Sequence, residues 1–111
     1  MASLQECVDT YKAEFDKLGV SYDADLLEKV ARGLGPAIYN KDASTVAASD
    51  ESELDTVKNN FLKGKLGLSD SDDLDGGIAE AIETLGASNR NKYRAMFYYL
   101  LVKKFGKESA Y

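Results

Sequence analysis

The stretch Asn89-Arg90-Asn91-Lys92-Tyr93-Arg94-Ala95-Met96-Phe97-Tyr98-Tyr99-Leu100-Leu101-Val102-Lys103-Lys104 decides the fold. Wound as a helix, Tyr93, Met96, Phe97, Leu100 and Leu101 make one apolar face. Ala95, Tyr98, Tyr99 and Val102 make another on the opposite side. A helix that is apolar nearly all round is buried on most sides. Its longest uninterrupted apolar run, Ala95 to Val102, is eight residues, against the roughly 20 that a membrane span needs. The segment therefore reads as the central helix of a bundle, running from Asn89 to about Lys104, capped by Ser88 and stopped by Gly106. The alternative is that Tyr98, Tyr99 and Val102 form a homodimer interface, since a large exposed apolar patch usually has a partner.

Four amphipathic segments surround it. Over residues 3–18, Leu4, Cys7, Val8, Tyr11, Phe15 and Leu18 keep helical spacing; Ser3 with Glu6 makes a capping box and Gly19 a left-handed stop. A second helix spans Ala24 to Leu34, capped by Asp23, with Leu26, Leu27, Val30 and Leu34 inward. Gly35 and Pro36 end it, and Pro36 opens a short turn to Tyr39. Residues 40–50 read as a loop with one helical turn near Thr45. A third helix starts at Asp50, carries Leu54, Val57, Phe61 and Leu62, and fades at Gly64 and Gly67. The fourth lies between Asp72 and Leu85 and ends at Gly86; Gly76 and Gly77 near its start leave room for a neighbouring backbone. Leu18-Gly19-Val20-Ser21 and Leu66-Gly67-Leu68-Ser69 align at an offset of 48, through Asp25-Leu26 with Asp73-Leu74. This spacing suggests a duplicated helix pair, although capped helices resemble one another because caps use few residue types.

The expected fold is all-α: a compact bundle of about five helices in one domain, 1–111, with the C-terminal helix central. At 111 residues and 44% hydrophobic, the chain has enough apolar side chain for one core. No secretory leader and no membrane span are read in it. One cysteine excludes an internal disulfide, and the absence of histidine removes the commonest metal ligand. The net charge of −5 is unevenly spread. Residues 1–88 hold 8 basic and 18 acidic side chains, a net of −10, and residues 89–111 hold 6 basic and one acidic, a net of +5. A basic last helix packed on an acidic body explains this more simply than nucleic-acid binding, because the overall acidic field repels phosphate.

Few constellations point to chemistry. Ser71-Asp72-Asp73-Leu74-Asp75-Gly76 resembles part of an EF-hand loop, but serine stands at its first position and Ile82 where a bidentate glutamate is needed. An acidic helix start explains it instead. Cys7 lies on an apolar helix face with no histidine base, and reads as a small buried hydrophobe. Tyr99 and Lys103 have the Tyr-x-x-x-Lys spacing of short-chain dehydrogenases, without any dinucleotide-binding glycine motif. No catalytic set, metal site or cofactor is therefore expected. The most distinctive polar cluster is Asn89, Arg90, Asn91, Lys92 and Arg94, whose cations sit at the helix end that the dipole disfavours. It is a candidate anion or partner site; the plainer explanation is pairing of Arg90 and Arg94 with acids of the body.

Gly33-Leu34-Gly35-Pro36 with Ile38-Tyr39-Asn40, Val57-Lys58-Asn59-Asn60-Phe61-Leu62, Asn89-Arg90-Asn91-Lys92-Tyr93-Arg94 and Phe105-Gly106-Lys107-Glu108-Ser109 together resemble a family of small bacterial proteins classed as a domain of unknown function. The resemblance implies a free-standing, cytoplasmic bacterial protein and carries no catalytic residues or cofactor. The expected function is a non-catalytic helical protein-interaction module that meets a protein partner or a second copy of itself. The alternative is a weak binder of nucleic acid or anions through the basic C-terminal helix, with Tyr111 or Tyr99 stacking on a base.

Overall fold

The computed structural model describes residues 3–39, 45–46, 50–69, 72–86 and 93–111. Helix α1, Leu4–Leu18, begins where the Ser3 hydroxyl accepts the Glu6 N–H at 3.2 Å. It ends at Gly19, left-handed at φ 71°. There the Gly19 N–H donates to the Asp16 carbonyl and the Val20 N–H to the Phe15 carbonyl, the paired bonds of a Schellman stop. Helix α2, Ala24–Leu34, is capped by the Asp23 carboxylate, which accepts from the Asp25 and Leu26 amides. Its Leu26, Leu27, Val30 and Ala31 are buried, and it passes into a 3₁₀ turn over Gly35–Tyr39.

Helix α3 is short, Glu51–Thr56, and continues without a break as a π-helix over Val57–Lys65. A π stretch of this length is rare because its hydrogen bonds span five residues. The side chains give the reason. Val57 and Leu66 lie about 180° apart around an α-helix but about 20° apart at the ~4.4 residues per turn of a π-helix. Val57, Phe61, Leu62 and Leu66 are all at most 5% exposed, so the wider register brings four apolar side chains onto one buried arc. The Leu66 N–H donates to the Phe61 carbonyl at 2.9 Å. Sequence spacing at 3.6 residues per turn misses this element.

Helix α4, Leu74–Leu85, starts at Asp73, the one non-glycine with positive φ (46°) among the described residues. Its carboxylate accepts the Gly76 N–H, and a Cβ on Gly76 would lie 2.3 Å from that carboxylate. A Cβ on Gly77 would lie 2.5 Å from the Phe105 ring. The two glycines thus make room for side chains, a capping carboxylate and an aromatic ring, rather than for a neighbouring backbone.

Helix α5, Arg94–Phe105, packs against α2 and α4, and buries Ala95, Met96, Phe97, Tyr98, Tyr99, Leu101 and Val102. It is the central helix, as its all-round apolarity requires. Its start differs from the expected Asn89. Tyr93 is extended (φ −61°, ψ 133°) and forms an antiparallel bridge with Thr45, where a helical turn was expected. The Tyr93 ring rests 5.4 Å from that of Tyr11. Ser88 lies outside the described residues. All five α-helices join one core, with no strand among the described residues. The Tyr99 hydroxyl accepts the Asp23 N–H at 2.6 Å, tying the central helix to the cap of α2.

Candidate functional site

The described part of the basic cluster is built into the bundle. Arg94 is 14% exposed and donates to the Glu53 carboxylate, to the Tyr98 hydroxyl at 3.1 Å and to the Thr45 carbonyl at 3.4 Å. Burial works against its charge, but the bonds to Glu53 and Tyr98 outweigh that and hold its pKa above the ordinary value. The helix-dipole penalty at this position is offset by an acid from α3. Asn89, Arg90, Asn91 and Lys92 lie outside the described residues. Farther along the basic helix, Lys104 pairs with Glu80 of α4 at 2.7 Å.

Tyr98, Tyr99 and Val102 are 8%, 2% and 0% exposed. The expected interface face is interior, because α2 and α4 pack on α5 and the rings of Phe61 and Phe15 lie against Tyr98 and Tyr99. Tyr98 stacks on Phe61 with ring centroids 3.9 Å apart, and Tyr99 meets Phe15 at 5.4 Å. Tyr99 is therefore an internal strut rather than a platform for a base. Cys7 is half-buried rather than buried; burial and the neighbouring Glu6 push its thiol pKa up, away from a nucleophile's range. In the acidic stretch, Asp72 accepts from the amide and hydroxyl of Ser69, which lowers its pKa, and Asp73 caps α4. These carboxylates act as local caps.

Besides a depression of about 260 Å³ between α4 and α5, bordered by Glu80 and Lys104, two others lie among the described residues. One, of about 340 Å³, lies between α1, the end of α2 and the 3₁₀ turn, lined by Leu4, Ala31, Arg32, Gly35, Ile38 and Tyr39. Tyr39 is 46% exposed, the most exposed large apolar side chain among the described residues. The other, of about 220 Å³, is walled by Gly33 and Leu34 of α2, Asn60, Phe61 and Lys65 of the π-helix, Tyr98 and Tyr111. The Lys65 ammonium sits 4.8 Å from the centroid of the Tyr111 ring. That ring lies against Gly33, where a Cβ would come within 3.1 Å of it. Burial and the nearby Tyr98 raise the Tyr111 pKa to about 12. Neither depression was singled out by sequence. The four- and five-residue spacing of Val57, Phe61, Leu62 and Leu66 was the available signal for the second.

The fold and these surfaces define a small all-α bundle threaded by an aromatic central helix. Among the described residues, no helix is long and apolar enough to cross a membrane, and no three metal-ligating side chains are grouped. The chain belongs to the DUF2853 family, described as protein of unknown function, whose model matches residues 10–109. No curated protein matches it.

Proposed function

We propose that the chain is a non-catalytic, cytoplasmic helical module that acts by contact with a protein partner, and that the groove around Tyr39 is its contact face. The supporting observation is the exposure of Tyr39 beside a lining that includes Leu4, Ala31 and Ile38. Tyrosine is enriched at such faces because it joins a large apolar body to a polar tip. A second copy of the chain is the simplest partner, since a twofold contact needs only one self-complementary patch.

Sedimentation across a range of concentrations tests the self-contact, with Tyr39→Asp as the variant. Self-association in the parent that the variant abolishes supports the proposal. A photo-crosslinking side chain at position 39, with another at exposed position 55 as control, tests a different protein partner in cells. A monomeric parent that gives no adduct specific to position 39 overturns the proposal.

A further inference from the structure

We propose that the cleft between α2, the π-helix and Tyr111 binds a small planar aromatic carboxylate, its ring against Phe61, Tyr98 and Tyr111 and its carboxylate on Lys65 and Asn60. This site is separate from the Tyr39 groove and does not depend on it.

The helix register places the polar groups. Asn60 and Lys65 are five residues apart, about 140° around an α-helix but about 50° around a π-helix, where i and i+5 stack one turn apart. The π register therefore sets an amide and an ammonium on one rim of the cleft. Phe61, next in sequence to Asn60, turns inward and stacks on Tyr98, so the same turn supplies an aromatic wall. Lys65 is exposed and lies over the Tyr111 ring, with no carboxylate partner among the described residues. A ligand carboxylate would give that ammonium a charge-assisted hydrogen bond that a ring face cannot supply. The Asn60 amide adds a second donor beside it.

Size limits the class. A cavity of ~150 Å³ holds benzene, and the cleft measures about 220 Å³. One ring with one carboxylate fits, and a nucleotide does not. The net charge of −5 slows the approach of any anion, so recognition rests on contact within the cleft.

The test is an amide NMR titration of the full chain with benzoate, using acetate and benzyl alcohol as comparators. Benzoate should give saturable shifts at Gly33, Leu34, Asn60, Lys65 and Tyr111 with a Kd of about 1 mM or tighter. Acetate lacks the ring and benzyl alcohol lacks the charge, so each should bind at least about tenfold more weakly. Lys65→Gln should weaken benzoate by about tenfold and Asn60→Ala by about threefold. Both residues are exposed, so both variants keep the fold. Shifts that do not saturate, equal binding of either comparator, or unchanged benzoate affinity in Lys65→Gln would each overturn the assignment.

Discussion

Ahead of Gly19 the chain is an ordinary α-helix and ahead of Gly67 it is a π-helix, although the two glycines share nearly the same conformation, φ 71° and φ 70°. The closing hydrogen bonds record the difference. The Val20 N–H donates to the Phe15 carbonyl, while the Leu68 N–H reaches back one residue farther, to the Leu62 carbonyl. Each region also receives one tyrosine from the central helix. Tyr99 enters the first, meeting Phe15 and the Asp23 amide; Tyr98 enters the second, stacking on Phe61 and accepting from Arg94. The stop is local chemistry, set by a left-handed glycine. The helix type ahead of it is set by which side chains must reach the core. Helices α2 and α4 both pack on α5, but the repeat suggested by sequence is not kept in register. The offset of 48 pairs the capping Asp73 with Asp25, two residues beyond the capping Asp23.

The most direct way to break this comparison is Leu66→Ala. Leu66 is 5% exposed because the π register turns it inward, so its truncation should lower unfolding free energy by about 2–5 kcal/mol in urea titrations. In an α register Leu66 would face away from the Val57 arc, and the loss would be within about 0.5 kcal/mol, as for a surface site. Next in size is Glu53→Gln, which leaves Arg94 charged and mostly buried without its acid. Breaking a buried pair costs ~3–5 kcal/mol, and this one, partly open to solvent, should lose about 2 kcal/mol. A variant as stable as the parent would show that the Glu53 carboxylate is not what holds the Arg94 charge in the bundle.

Smaller effects sharpen the contrast between the tyrosines. Tyr99→Phe leaves the Asp23 N–H without its acceptor and should cost about 1–2 kcal/mol. If Tyr98→Phe costs far more, the second region depends on its hydroxyl more than the first does. Gly19→Ala and Gly67→Ala should each cost about 1 kcal/mol by strain alone, since nothing lies within 4 Å of either added Cβ. Unequal losses would show that the two stops are not equivalent. Last comes an effect absent at neutral pH. Burial raises the Tyr111 pKa from 10.0 to about 12, so the folded state keeps a proton that the unfolded chain gives up. That contribution is whole below pH about 10 and fades as pH rises toward about 12. Tyrosinate absorbance followed with denaturant midpoints checks it, and Tyr111→Phe should flatten this part of the alkaline loss.

Sequence by itself determined the helical class, the centrality of the last helix and most helix ends. Those features rest on local signals: Ser3, Asp23 and Asp50 as caps, Gly19 and Gly106 as stops, and an apolar surface on every side of residues 95–102. Local hydrogen bonds and periodicity carry that information along the chain. Only the tertiary structure decided the π-helix, the late start of α5 at Arg94, the use of Gly77 as a seat for Phe105, and the burial of Arg94 against Glu53. Each depends on a partner distant in sequence. The π register depends on what Val57 and Leu66 must both touch, and the cleft on three segments meeting. Helical spacing read along one strand of sequence contains no such distances, and the core, by close packing, selects the register that fills it.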